Sequence, residues 1–120
     1  MCIITSGNFK TSKTDLDDFN QIKIYVESDV IIKQVSKSTI QFEGKSTLVD
    51  SIYSTVENNK LIVELKSPYC NPDIPLKITI TTPNLKELVL TEKGNTILYD
   101  FKNHEKLKLQ INTSSSIELN

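Results

Sequence analysis

Apolar and polar residues alternate along most of this chain. Ile22, Ile24 and Val26 alternate with Gln21, Lys23 and Tyr25, and Val30 and Ile32 repeat the pattern after Glu-Ser-Asp. Ile40 and Phe42 follow and end at Gly44; Leu61, Val63 and Leu65 begin after an Asn58-Asn59 turn; Leu76, Ile78 and Ile80 form another clean run. A period of two buries one face of a strand and wets the other, so each run predicts a short β-strand. Asn-Asn and Glu-Gly are turn formers and separate the runs. Only LVDSIYSTV, residues 48–56, has a helical look. Its β-branched residues and two serines favour a strand there.

After Pro83 the pattern repeats. Leu88 and Leu90 recur as Leu109 and Ile111 at an offset of 21, and Ile97 and Tyr99 recur as Ile117 and Leu119 at an offset of 20. Tyr99 takes the phase of Ile97, while Tyr25 takes the outward phase of its own strand. A repeat near this length is the mark of a solenoid coil. One such coil cannot bury its apolar side alone, so successive coils stack to share a core. A meander of hairpins or a β-sandwich is the alternative for the same spacing.

The stretch TTPNL, residues 81–85, turns without a loop. Pro83 has no N–H for a ladder and holds Thr82 extended, and Asn84 tolerates turn dihedrals. The segment therefore predicts a corner that ends one sheet face and starts another, with Leu85 tucked into the core.

Composition supports the strand reading. The 120 residues fit one domain, predicted as a lead-in over 1–18 and a β domain over 19–120. The chain has no Ala and no Trp, is rich in Ile, Ser and Thr, and is 38% hydrophobic. That balance favours an all-β fold over helix. The net charge is −1 and every one of the 14 basic residues is Lys. Without Arg or a basic block, nucleic acid is not an expected partner. No apolar run has the length of a membrane span, and MCIITSGNF has neither a basic nor an apolar signal-peptide region.

With these elements in place, the chain resembles the bacterial "head GIN" domain family of putative auto-transporter adhesins. The resemblance rests on Ser6-Gly7-Asn8, on Phe19 before Ile22 and Ile24, on Asp29-Val30 with Ile32, and on ITITTPNLKEL, residues 78–88. The family's corners are usually richer in glycine; here they read EKGN and TSSS, with Gly94 the one glycine. Family domains also tend to be longer, so the chain is expected to be a short member or a fragment. The resemblance implies a right-handed β-helix-like solenoid. It also implies a non-enzymatic surface or periplasmic module that acts by binding or adhesion. A polysaccharide-acting enzyme and a purely structural or regulatory envelope domain are the alternatives.

Candidate chemistry is sparse. His104 is the only histidine and lies in the polar stretch KNHEK, so metal clusters and a Ser-His-Asp triad lack material. Asp15, Asp17 and Asp18 do not follow a calcium-loop spacing and read as a solvated lead-in. No catalytic, cofactor or metal residue is expected, and no cofactor. The two cysteines, Cys2 and Cys70, read as unlinked thiols, although their count permits one bridge. Some relatives are exported lipoproteins, which makes Cys2 a candidate lipid attachment site; a cytoplasmic protein that begins Met-Cys is the alternative. The final predicted strand, Ser116, Ile117, Glu118 and Leu119, has no proline, lysine or bulge signal to blunt its edge. It is the candidate edge for packing on another copy, as a homo-oligomer, or on domain residues outside this chain. A glycan or protein ligand is compatible with the polar faces, and the sequence does not choose between them.

Overall fold

A computed structural model describes residues 8–66, 75–92, 94–99, 108–111 and 116–119. The elements in chain order are β1 (Phe9–Asp15), β2 (Gln21–Ile24), β3 (Asp29–Gln34), β4 (Thr39–Lys45), α1 (Ser46–Val49), β5 (Ile52–Glu57), β6 (Lys60–Leu65), β7 (Leu76–Thr82), β8 (Glu87–Leu90), β9 (Asn95–Tyr99), β10 (Lys108–Ile111) and β11 (Ser116–Leu119). The fold is all-β. A six-stranded sheet has the order β1-β4-β7-β3-β9-β11 and a five-stranded sheet the order β10-β8-β2-β6-β5. Both are mixed and open, and one hydrophobic cluster draws on both.

The two sheets share an internal order. In the six-stranded sheet β7, β3, β9 and β11 are joined by parallel ladders; in the other, so are β6, β2, β8 and β10. Four consecutive strand pairs, β6/β7, β2/β3, β8/β9 and β10/β11, therefore lie one above another as rungs. At one end the stack meets antiparallel strands: β5 on β6, then β4 on β7 and β1 on β4. Asn58 and Asn59 close the β5–β6 hairpin with φ of 52° and 64°, the positive pair a tight two-residue turn needs.

Alternation explains the core. Leu61, Ile22, Leu88 and Leu109 occupy matching positions on four adjacent strands, and Val63, Ile24, Leu90 and Ile111 form the next column. Across the core stand Phe42, Ile78, Val30, Thr96 and Ile117, and Ile40, Ile80, Ile32 and Leu98. Most of these side chains are buried, and the columns stop being buried at β10. On the inner strands each apolar side chain thus has a neighbour in its column about 4.8 Å above and below, and on β10 it has one on a single side. Complete burial of a Leu or Ile contributes about 1.5–3 kcal/mol.

The Pro83 corner behaves as the sequence predicts. β7 ends at Thr82 in one sheet, β8 begins at Glu87 in the other, and Leu85 is buried between them. The chain also skips a rung here, because β2/β3 lies between β6/β7 and β8/β9. Hydrogen bonds fill the skip. Thr82 Oγ1 donates to the Phe19 carbonyl at 3.0 Å, and Lys86 N donates to the Asn20 carbonyl at 2.7 Å. Asn20 N donates to Asn59 O at 2.9 Å, and Lys108 N to Lys86 O at 2.8 Å, which carries the ladder through all four rungs.

Two expectations are corrected. Residues 46–49 form a helical turn, and only the second half of LVDSIYSTV is strand. Leu48 and Val49 are adjacent and both buried, and the helical turn lays both side chains against the core. The second correction concerns β9. Its pairing with β11 sets Thr96 opposite Ile117 and Leu98 opposite Leu119, an offset of 21 throughout. Thr96 and Leu98 are buried, while Ile97 and Tyr99 take the other phase and are half-buried. A one-residue slip exchanges the two faces of a strand.

Candidate functional site

The outward face of the five-stranded sheet is built by the same alternation that builds the core. Because Ile22, Leu61 and Leu88 point inward, their neighbours Lys23, Ile62 and Val89 stand in one outward row, continued by Thr55 on β5 and Gln110 on β10. On one side lies a charged row, Glu57, Lys60, Gln21, Glu87 and Lys108. On the other lies a row with Tyr53 on β5, Glu64 on β6 and Tyr25 just beyond β2. Tyr25 N donates to Val63 O at 2.8 Å, which keeps Tyr25 in the ladder beside Glu64. The two tyrosines are 50% and 39% exposed. Two strand spacings separate them, about 10 Å.

A shallow depression of about 250 Å³ lies beside Tyr25, walled by Gln21, Lys60, Glu87 and Gln110. Val89 forms an apolar patch in it, buried although it faces outward. Lys23 Nζ stands 5.2 Å from the centroid of the Tyr25 ring. An exposed contact of this kind is worth about 0.5–1 kcal/mol and yields readily to a ligand. Tyr25 is outward, as its phase predicts.

The candidate edge is partly in view. Ser116, Ile117, Glu118 and Leu119 form β11, the outermost strand of its sheet, with Ser116 opposite Asn95. Ser116 Oγ donates to Asn95 Oδ1 at 2.5 Å, and Asn95 N donates to Asp29 Oδ1 at 3.3 Å, a short polar ladder along the rung ends. The sequence singled out β11, but β10 completes the same end. Leu109 and Ile111 are 44% and 40% exposed, whereas Leu88 and Leu90, beside them in register, are 0% and 6%. Their core phase is readable in the sequence; that their outer side is uncovered requires the spatial order of the rungs.

Cys2, Cys70 and His104 lie outside the described residues. Of the acidic lead-in, Asp15 pairs with Lys37 at 3.1 Å and Asp18 accepts a bond from Ser38 Oγ at 3.0 Å. Among the described residues no group of three His, Cys, Asp or Glu side chains is arranged to hold a metal. Among them, too, no helix is long and apolar enough to cross a membrane.

Comparisons with known proteins agree with this architecture. A family model, "Putative auto-transporter adhesin, head GIN domain", matches residues 18–120. A crystal structure of a putative adhesin from Bacteroides fragilis is 21% identical, with a TM-score of 0.71 over 96% of this chain and 53% of its own. A putative adhesin from Parabacteroides merdae is 22% identical, with a TM-score of 0.75 over 95% of this chain and 52% of its own. A protein from Parabacteroides distasonis, described as a putative lipid binding protein, is 22% identical, with a TM-score of 0.65 over 78% of this chain and 42% of its own. At these identities the likeness is one of fold, and the chain spans about half the length of the first two structures. No curated protein matches. With its family model covering all but the first segment, the chain belongs to the head GIN domain family of putative auto-transporter adhesins.

Proposed function

We propose that this chain is a non-enzymatic binding module of the bacterial cell envelope or surface. Its four parallel rungs form part of a right-handed β-helix-like solenoid, and it works through an outward sheet face and through self-association at the open rung. The carrying observation is the contrast between matched positions. Leu88 and Leu90 are covered, while Leu109 and Ile111, one rung on, are not. An apolar strand edge of this kind takes up another strand when one is offered.

The family description favours binding over catalysis. On the outward face of the five-stranded sheet the described acids support the same reading, while on the other sheet Asp29 and Glu43 flank Lys77 two strand spacings apart, about 10 Å. Hydrolysis of a glycosidic bond needs two carboxyls about 5–9.5 Å apart. On the outward face of the five-stranded sheet, Glu57 and Glu87 share a row but are three strands apart, about 14 Å. Glu64 lies four residues along its strand from that row, about 13 Å. Attachment through a lipid on Cys2, and residence at the periplasm or outer membrane, belong to the same proposal.

Light scattering over a concentration series tests the assembly part. The proposal expects a mass above the monomer that grows with concentration, and a monomer for the variant Leu109→Lys with Ile111→Lys. A wild-type protein that stays monomeric at high concentration would count against the self-association. For the binding part, beads coated with the chain are expected to adhere to immobilised glycans or matrix proteins. Failure on every surface would sink it.

A further inference from the structure

We infer that the outward face of the five-stranded sheet binds an extended, uncharged, β-linked polysaccharide that lies across the strands. Tyr25 and Tyr53 serve as its two stacking platforms. The inference rests on the binding-module reading and names the ligand class for that face.

Three observations converge on it. The first is spacing. Tyr53 and Tyr25 stand in one row with Glu64 between them, about 10 Å apart. An extended β-linked chain advances by about one pyranose per strand spacing of ~4.8 Å. Alternate sugars in such a chain present the same face, so both rings can be met by one polymer. A helically coiled α-linked glucan does not keep that repeat.

The second is the character of the depression beside Tyr25. Next to the tyrosine row it is lined by Thr91, then by Val89 and Gln110, with Gln21, Lys60 and Glu87 at its far side. A pyranose has the matching division, with C–H groups on its faces and hydroxyls around its rim. Donors and acceptors are both present, as a hydroxyl requires.

The third is charge. The described rows of this face carry Lys23, Lys60 and Lys108 against Glu57, Glu64 and Glu87. Three of each sign leave no net field to recruit a polyanion or polycation. A neutral polymer meets no penalty there, while a nucleic acid or a polyuronate finds no basic stripe.

Affinity electrophoresis of the full chain tests this directly. Gels contain hydroxyethylcellulose or mixed-linkage β-glucan, with dextran and starch as α-linked controls. The inference expects retardation by the β-linked polymers and little by the controls. Tyr25→Ala and Tyr53→Ala should each weaken retention about fivefold, and the double variant should lose it almost entirely. Thermal melting of the variants verifies folding, since both side chains are exposed. Three results would overturn the inference: no retardation by either β-glucan, equal retardation by dextran, or undiminished retention of the double variant. If the β-glucans fail while coated beads still adhere to a protein matrix, this inference falls and the wider binding reading stands.

Discussion

Gly94 lies so close to Ser28 that a Cβ on the glycine would stand 1.9 Å from the Ser28 carbonyl oxygen. The two residues belong to the corners of adjacent rungs, Ser28 between β2 and β3 and Gly94 between β8 and β9. The contact is backbone on backbone, so no side-chain rotation can relieve it, and the glycine φ of +155° disfavours a larger residue as well. Gly94→Ala is expected to destabilise the fold by at least about 2 kcal/mol in urea unfolding. An unchanged midpoint would mean that the two corners do not touch.

Thr96 makes the opposite prediction. It is buried in a column of Ile78, Val30 and Ile117, and its hydroxyl has no hydrogen-bond partner. Leaving such a group dry costs about 1–3 kcal/mol. Thr96→Val keeps the shape and removes the hydroxyl, so it should raise stability by about 1 kcal/mol. Calorimetry showing a lower melting temperature would indicate that the hydroxyl has a partner after all.

The rung-skipping corner depends on Thr82. Its buried hydroxyl donates to the Phe19 carbonyl and ties the end of β7 to the approach of β2. Thr82→Val leaves that carbonyl short of a donor and should cost about 1–2 kcal/mol. Faster amide exchange at Lys86, whose N–H bonds to the adjacent Asn20 carbonyl, should accompany the loss. Unaltered exchange would mean the corner holds without the threonine.

Matched truncations measure the open end. Leu88→Ala removes a fully buried side chain and should cost about 2–5 kcal/mol, while Leu109→Ala, in the same column but half uncovered, should cost under about 1.5 kcal/mol at dilute concentration. If both cost the same, the last rung is already covered in solution.

Much of this was legible in the chain. Ile22, Ile24, Leu61, Val63, Ile78 and Ile80 announced both their strands and their buried phase, because each strand keeps one face wet. The Pro83 corner was readable from the missing N–H, and the Leu88–Leu109 repeat from its offset. Ile97 and Tyr99 look more core-like than Thr96, so apolarity alone assigns β9 the wrong phase, and the constant offset of 21 assigns the right one. β1 carries no alternation, since FKTSKTD is largely exposed on both faces and is held by its ladder to β4. The insertion of β2/β3 between two later rungs leaves no local trace, because spatial order depends on long-range pairing. The Tyr25–Tyr53 row was hidden for the same reason: the two residues are distant in sequence and meet only through β6.

Inter-strand nuclear Overhauser contacts probe the shared interior most directly. Parallel stacking in register predicts backbone cross-peaks linking Leu88 with the Leu109 region and Thr96 with the Ile117 region, together with contacts from Ile22 to both Leu61 and Leu88. Contacts that instead pair β8 with β9 as an antiparallel hairpin, or that set Ile97 against Ile117, would contradict the stack.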